Sequence, residues 1–427
     1  MLSLKKKIQT KKARIAIIGL GYVGIPCALS FSKAGYVIIG VDTNKSVINN
    51  IKNNINPLNG KKINFKNKIQ LSTSYSIIKK ADIILICLPT PLTKYKTPNL
   101  SSIKRCARDL KSYLKKNILI SFESTSYPGT TEEIFLPLLK SKNFNIGDNI
   151  FLSYSPERED PGNKKFNLKN TTKVVSGFTD SCLEISSLLY SKICNNVFKA
   201  SSIKTAEFAK LSENIYRSVN IGLINELKLL SDKMGLDIFD IVNAASTKPF
   251  GYQAFYPGPG LGGHCIPIDP YYLTWKAKEF DFNTRFTELS AQINDSMPNY
   301  IVDKLIYALN FQKKTLSNSK ILLLGLAYKK NISDARESPT YKILELLKKR
   351  SDKIYILDPY CNNNQIPKGN NAVLLNFKKK MRYGLYDAIV IICDHDIFDY
   401  ELIYKESNLI IDSRGRYKPD NIKIFRA

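Results

Sequence analysis

Short apolar runs without polar alternation recur along both ends of the chain, separated by amphipathic stretches, which is the pattern of buried parallel strands joined by helices. Residues 14–20, 36–42, 82–88, 117–122 and 149–154 read as strands, and 24–34 as an amphipathic helix between the first two. Over 201–234 the period changes to that of one long helix, with Phe208, Leu211, Ile215 and Val219 on an apolar stripe and Glu207, Lys210, Asn214 and Arg217 on a polar one. A second long helical segment spans 283–310, and a polar linker follows at 312–318. Strand and helix then alternate again, with strands at 320–326, 353–357, 387–392 and 408–412 and a helix at 340–349. The expected fold is α/β, two doubly wound Rossmann-like domains (1–200 and 312–427) joined by a long-helix central region (201–311) that offers a dimer surface.

Composition narrows the class. The 427 residues carry a formal charge of +27, yet their 44% hydrophobic content is that of an ordinary globular protein. The basic excess is mostly lysine spread along the sequence, and the denser runs at 5–14 and 378–382 lack the interleaved aromatics of a single-strand groove. Nucleic acid is therefore not expected as a partner, and the runs read as solvated tails and faces. No apolar segment has membrane-spanning length, and no signal-type h-region follows the basic start, so a soluble, cytoplasmic protein is expected. The eight cysteines form no CxxC pair, which argues against a disulfide framework or a zinc site. The cluster Cys393-Asp394-His395-Asp396 reads as a strand end turning into a loop, and no metal is expected.

Candidate chemistry starts between the first strand and helix, at Gly19-Leu-Gly21-Tyr22-Val23-Gly24. In that setting the first glycine makes the tight turn, the second lets backbone approach a pyrophosphate, and the third lets helix and strand pack closely. Asp42, about eighteen residues after the last glycine, either caps a helix or accepts from the ribose hydroxyls of an adenosine; in the latter role it repels a 2′-phosphate, predicting NAD rather than NADP. Later strands end in Pro89-Thr90-Pro91, Glu123-Ser124-Thr125 and Ser155-Pro156-Glu157-Arg158. Ligands bind at the carboxyl ends of such strands, so Pro89, Thr90, Thr125 and Glu157 are expected to line one crevice. Thr125 alternatively satisfies a turn, and Glu157 alternatively pairs with Arg158 or Lys164.

The segment from Tyr256 to Tyr272 reads YPGPGLGGHCIPIDPYY. Gly258, Gly260, Gly262 and Gly263 lead up to Cys265, and Asp269-Pro270 is a helix-start signal with Asp as N-cap. A thiol at a helix N-terminus is favoured as thiolate, a place for a nucleophile; the other reading is a glycine-rich turn around a buried, inert cysteine. Lys210 and Asn214 lie one turn apart on the long helix, and asparagine is a poor helix former that a solvated stripe has little reason to use. Together they offer an ammonium and an amide to one oxyanion. The second domain lacks the glycine motif but places Lys329, Arg336 and Arg414 at strand ends, which suits a nucleotide's phosphates.

The glycine fingerprint, Ser124-Thr125, Ser155-Pro156-Glu157, Lys210 with Asn214, the GGHCIPID loop, the LAYK turn ending in Lys329 and the closing Arg414 together resemble the UDP-glucose/GDP-mannose dehydrogenase family over nearly the whole chain. Within it, SPEREDPGN and FYPGPGLGGHCIPIDP are most similar to UDP-N-acetylglucosamine 6-dehydrogenases. The resemblance implies an NAD domain, a helical dimer core and a UDP domain, and oxidation of a sugar C6 alcohol to a carboxylate with two NAD consumed. It implies Cys265 as nucleophile, Lys210 and Asn214 at the developing oxyanions, Asp269 and Thr125 on water, and Glu157 in proton transfer. It assigns Gly19, Gly21, Tyr22, Val23, Gly24, Asp42, Pro89, Thr90 and Thr125 to NAD. The UDP-sugar falls to Glu157, Arg158, Lys210, Asn214, Tyr256, Gly260, Gly262, Lys329 and Arg414.

Two positions depart from UDP-glucose dehydrogenases, which carry a lysine just before the loop aspartate and a second glutamate after the SPE motif. Here those places hold Ile268 and Pro161, which disfavours glucose. Lys248 is the nearest match to the arginine that reaches the sugar from a partner subunit in relatives. A UDP-glucose 6-dehydrogenase, a two-electron hydroxyacid dehydrogenase and a non-catalytic NADH-sensing protein are the competing readings; the second has no use for a nucleophilic cysteine or a second nucleotide domain, and the third would be expected to lose Cys265, Lys210 or Asp269, all of which are present.

Overall fold

Runs of Ile, Leu, Val and Phe that bury both faces belong inside parallel sheets covered by helices. In the computed structural model, which describes all residues except 68, 140, 142, 159–162, 164, 368, 370, 371, 379 and 380 and the side chain of Leu2, these runs form two such sheets. Pro161, Lys164 and part of the 378–382 basic run lie outside the described residues. The first sheet contains β1 (Arg14–Ile18), β2 (Val37–Val41), β3 (Gln70–Ser72), β4 (Ile83–Ile86), β5 (Ile118–Phe122), β6 (Ile150–Tyr154), β7 (Lys173–Gly177) and β8 (Val197–Lys199), in the order β3-β2-β1-β4-β5-β6-β7-β8. Only the β6–β7 pairing is antiparallel. The second contains β9 (Ile321–Leu324), β10 (Ile354–Leu357), β11 (Val373–Leu375), β12 (Ala388–Ile391), β13 (Ile410–Asp412) and β14 (Ile424–Arg426), all parallel, in the order β11-β10-β9-β12-β13-β14. Each sheet reverses its strand order once, beside β1 and beside β9, and the carboxyl ends flanking that reversal are where doubly wound sheets take ligands.

The chain packs as two units, Met1–Glu213 with Tyr271–Phe282, and Asn214–Pro270 with Asn283–Ala427. Each holds one sheet. The helices Ile203–Lys233 and Arg285–Phe311 fill the predicted long-helix region, and Asp269–Ala277 follows the cysteine loop. Among the described residues no helix is long and apolar enough to cross a membrane.

The two sheets share a local device. Gly19 ends β1 with φ 89°, and its N–H donates to the Val41 carbonyl at 2.9 Å; Gly325 ends β9 with φ 97°, and its N–H donates to the Leu357 carbonyl at 2.9 Å. The next N–H then reaches an acid at the end of the neighbouring strand, Leu20 to Asp42 Oδ2 at 2.9 Å and Leu326 to Asp358 Oδ2 at 2.7 Å. A left-handed glycine followed by a braced amide fixes the turn from which each ligand loop departs.

Three expectations are corrected here. The basic start is not a solvated tail: Leu2–Gln9 is a helix that buries Leu4 and Ile8 and sends Lys7 Nζ to Asp82 at 2.8 Å. The stripes of the long helix do not sort by burial near its start, where Glu207, Lys210 and Asn214 are buried alongside Leu211 and Phe208 is 47% exposed. The reason is Glu207, whose carboxylate accepts from Gly129 N–H at 2.6 Å, Thr131 N–H at 3.0 Å and the Thr131 hydroxyl at 2.7 Å, capping the helical turn Thr130–Phe135. Finally, strands predicted to 20, 88 and 326 stop short of those positions, because Leu20 and Leu326 stay buried beneath the turns after the ladder has ended.

Candidate active site

At the end of β1 the three motif glycines have three different reasons. Gly19 needs its left-handed φ, and a Cβ there would sit 2.5 Å from the Cys87 carbonyl oxygen. A Cβ on Gly24 would lie 1.9 Å from the Gly19 carbonyl oxygen, so helix Gly24–Lys33 rests on backbone. A Cβ on Gly21 would meet nothing within 4 Å. The second glycine thus opens a space in front of bare backbone at a helix N-terminus, the shape and polarity a pyrophosphate needs. Tyr22 and Val23, half-buried, continue this turn.

Asp42 is not a helix cap. Asn44 caps the helix Lys45–Lys52, while Asp42 accepts from Leu20 N–H and, through Oδ1, from Asn44 N–H at 2.8 Å. A carboxylate offers about four acceptor positions, so two remain for a diol. Asp358, the corresponding acid of the second sheet, is saturated: Leu326 N–H and Ala327 N–H at 2.8 Å donate to Oδ2, and Tyr360 N–H at 2.8 Å and Cys361 N–H at 3.0 Å to Oδ1. Asn331 N–H donates to His395 Nδ1 at 2.9 Å, leaving Nε2 to donate to Asp358 Oδ2 at 3.0 Å. The cysteine-histidine-acid cluster after β12 therefore contributes a buried brace for the second sheet's ligand loop, and these contacts hold the Asp358 carboxyl below its usual range even though burial opposes it.

The turns after β4 and β5 meet as expected. The Thr90 hydroxyl donates to the Thr125 carbonyl at 2.7 Å, and the Tyr272 hydroxyl donates to the Thr90 carbonyl at 2.8 Å. Pro89 is exposed beside them and Thr125 is half-buried. Glu157 follows β6 and accepts from Arg158 N–H at 2.9 Å. Arg158 spends its guanidinium within the protein, on the Thr172 carbonyl at 2.7 Å and on Glu213 at 2.8 Å.

Asn214 and Asp269, assigned separately from sequence, are directly bonded: the Asn214 amide donates to Asp269 Oδ2 at 2.5 Å, and both are buried. Lys210, also buried, precedes Asn214 by one turn on the helix Ile203–Lys233. Asp269 is the first residue of its helix rather than the N-cap. The Cys265 carbonyl accepts from Ile268 N–H at 3.0 Å and Asp269 N–H at 2.8 Å, so the helical turn begins at the cysteine itself. Of the eight cysteines, Cys265 alone is exposed. Burial first and Arg336 second push the pKa of the neighbouring His264 down.

The glycines before Cys265 are packed rather than slack. A Cβ on Gly258 would lie 2.9 Å from Arg414 Nη1, and one on Gly262 would lie 2.4 Å from the Tyr328 Cβ. Gly260 and Gly263 have φ 121° and 84°, and Gly263 N–H donates to the Arg336 carbonyl at 2.9 Å. The loop therefore lies on the carboxyl ends of β9 and β13, where Lys329 and Arg414 also sit. Arg414 Nε donates to the Ile392 carbonyl at 2.7 Å, while Arg336 is chelated by Asp334 at 2.7–3.1 Å. Tyr256 stands apart, stacked on Phe239 and bonded to Asn243.

Sequence reasoning missed two buried charges in the first unit, Glu207 and Lys173. Lys173 opens a Lys-Val-Val-Ser-Gly run whose strand pattern was readable.

Comparison with known proteins accounts for both units. Residues 13–194 match the UDP-glucose/GDP-mannose dehydrogenase family, NAD binding domain; 204–296 match its central domain; and 322–419 match its UDP binding domain. Protein CapL of Staphylococcus aureus is 35% identical over 419 residues, covering 96% of this chain and 97% of that protein. The UDP-N-acetyl-D-glucosamine 6-dehydrogenase of Salmonella typhi is 33% identical over 392 residues, 91% of each. Among solved structures, a UDP-D-ManNAc dehydrogenase from Pyrococcus horikoshii superposes with a TM-score of 0.85 at 30% identity, covering 95% of this chain and 96% of that one.

Proposed function

Because the chain belongs to the UDP-glucose/GDP-mannose dehydrogenase family and is an NAD-dependent nucleotide-sugar 6-dehydrogenase of the UDP-N-acetylhexosamine type, we propose that it oxidises UDP-N-acetylglucosamine at C6 to the uronic acid, for surface polysaccharide precursor synthesis. The carrying observation is Cys265, the one exposed cysteine, at the start of the turn that leads into a helix whose first residue, Asp269, is bonded to Asn214. The motifs around Glu157 and Cys265 and the replacement of a loop lysine by Ile268 support an N-acetylated sugar over glucose.

NAD, when bound, accepts hydride from C6 in each of two oxidations. The open face of Gly21 and the spare acceptors of Asp42 fit its pyrophosphate and ribose, while Pro89, Thr90 and Thr125 line the edge of that crevice. In the first oxidation Glu157 assists removal of the hydroxyl proton as the alcohol becomes an aldehyde. The Cys265 thiolate adds to the aldehyde carbon, forming a C–S bond, and the oxygen takes a proton to give a thiohemiacetal. Lys210 and Asn214 stabilise the negative charge that develops on that oxygen. Loss of the second hydride and the hydroxyl proton leaves a thioester. Asp269, with Thr125, orients the water that displaces the thiol as a carboxylate forms. Lys329 and Arg414 hold the diphosphate of the UDP end, with Gly260 and Gly262 beneath it.

A homodimer fits the same reading. Tyr216, Leu223, Leu227, Leu230 and Met234 recur at three-, four- and seven-residue steps on the helix Ile203–Lys233 and just beyond it, and all are exposed. Such an apolar stripe is the kind of face a second copy covers. Eight cysteines outside any disulfide suit a reducing cytoplasm.

The test is initial-rate NADH formation with UDP-N-acetylglucosamine, UDP-N-acetylmannosamine, UDP-N-acetylgalactosamine and UDP-glucose. The proposal expects the highest kcat/KM on the first. A higher value on the manno epimer would reassign the sugar, and one on UDP-glucose would reject the N-acetyl class.

A further inference from the structure

Behind the turns that carry Thr125 and Glu157 lies a buried charge cluster that the mechanism leaves unused. Glu123 directly follows β5 and is fully buried; Lys173 opens β7 and is almost as deeply enclosed. Lys173 Nζ donates to Glu123 Oε2 at 3.0 Å and to the Pro156 carbonyl at 3.0 Å. The Tyr190 hydroxyl donates to Glu123 Oε1 at 2.5 Å and lies 2.8 Å from Ser121 Oγ. Carboxylate oxygens of Glu123 and Glu157 and the sulfur of Cys27 all lie within 4.8 Å of one another.

Two carboxylates this close compete for a proton unless a cation faces them. Among the described residues, the other titratable groups around Glu123 and Lys173 are two thiols and a phenol, which stay uncharged. Its hydrogen bond with Cys87 and burial push the Cys27 thiol well up. Cys87 is also raised: the bond with Cys27 opposes this, and burial outweighs it. Burial and Glu123 do the same to Tyr190. Lys173 behaves differently. Burial pulls against its charge, but Glu123 and then Glu157 overcome that and hold it protonated. The Arg158 guanidinium is turned to Thr172 and Glu213.

We propose that Lys173 and Glu123 are a positioning pair for the reaction: Lys173 ties the turn carrying Pro156 and Glu157 to the turn carrying Glu123 and Thr125, and supplies the positive charge that the two neighbouring carboxylates share. Neither residue touches the substrate. They act through Glu157, whose placement and surrounding charge they set, so the inference rests on the proton-transfer role given to Glu157 above.

The experiment is the pH profile of kcat/KM for UDP-N-acetylglucosamine in a set of full-length variants. Glu157→Gln identifies the relevant ionisation as the limb it removes. Lys173→Met then moves that limb up by about one unit or more, because a cation is lost. Glu123→Gln moves it down, because an anion is lost. The double variant, in which a buried ion pair is replaced by a neutral one, returns the limb near its original pH, yet lowers kcat because the Pro156 carbonyl has lost its donor. Lys173→Arg keeps the limb in place. A merely structural pair would not give opposite shifts that cancel. If the two single variants leave the limb unmoved or shift it in the same direction, the inference is overturned while the role of Glu157 stands. A Glu157→Gln protein with an unchanged rate and profile removes both. Should Lys173→Met not fold, the Glu123→Gln and double variants still decide through the downward shift and its cancellation.

Discussion

The Asn214 side-chain amide donates to the Asp269 carboxylate at 2.5 Å inside the protein, so a group assigned to oxyanion stabilisation and a group assigned to water are one hydrogen-bonded unit. A buried carboxylate held by an amide keeps a fixed orientation, and losing either partner removes a buried hydrogen bond. Asp269→Asn should allow both hydride transfers but stall hydrolysis, so intact-protein mass should show the sugar retained on the enzyme. Asn214→Ala should lower kcat by about a hundredfold, with a smaller change in KM. Free turnover by Asp269→Asn at the unaltered rate would separate Asp269 from the water step.

Cys265→Ala removes the only exposed thiol. Binding of both ligands should survive, and a slow, reversible first oxidation should remain. The yield of NADH per sugar decides: two NADH per uronic acid at near the unaltered rate would reject the covalent route.

Gly21 and Gly24 should fail differently when a methyl group is added. At Gly24 the new carbon meets the Gly19 carbonyl at 1.9 Å, so Gly24→Ala should reduce Tm by several degrees or prevent folding. At Gly21 nothing lies within 4 Å, so Gly21→Ala should fold with near-unaltered Tm yet bind NAD more weakly, by about tenfold or more in Kd. Equal NAD affinity in Gly21→Ala would remove the pyrophosphate from that space.

Cofactor choice should follow Asp42. With two acceptor positions spent on Leu20 and Asn44, its remaining capacity favours a free ribose diol and repels a phosphate. NADP should support turnover about tenfold or more below NAD, and Asp42→Asn should narrow that ratio. Comparable kcat/KM for the two cofactors in the unaltered protein would contradict the assignment.

Glu207 gives a stability signature. Burial raises its pKa from 4.5 to about 7, against the bonds from Thr131 and Gly129 that favour the charged form. A carboxyl whose folded pKa lies above its unfolded one binds more protons when folded, so its contribution is full below about pH 4.5 and is lost as pH rises through 7. Tm should therefore fall between pH 5 and pH 8 by the equivalent of about 3 kcal/mol. Glu207→Gln should flatten that slope, even from a lower baseline; an unchanged slope would show that another group is responsible.

How much of this was legible follows from which signals are local. Apolar runs and turn residues placed nearly every central strand, because a buried parallel strand has to read as a continuous apolar run. β3, β8, β11 and β14, of three residues each, and the five-residue β7, which opens on a lysine, were missed. The positions of Cys265, Asp269, Asn214 and the glycine fingerprint were readable because spacing and backbone chemistry mark them. Glu207 and Lys173 were not, since helical period alone assigns charged positions to water. Their partners lie far off in sequence, at Gly129 and Thr131 for one and at Glu123 and Pro156 for the other. The glycines before Cys265 announced close approach without saying to what. Arg414 and Tyr328 supply the answer only once the chain has folded.

The contrast between Asp42 and Asp358 bears on how the protein could be labelled or blocked. Both acids stand at the same place in sheets of the same strand order, but one keeps acceptor capacity and the other has every position taken by its own chain. An affinity reagent built around a nucleoside's vicinal diol should therefore find a foothold at one end of the chain only. Selective chemistry for the other end has to be aimed at phosphate or base, to which the proposed contacts Lys329 and Arg414, rather than an acid, would answer.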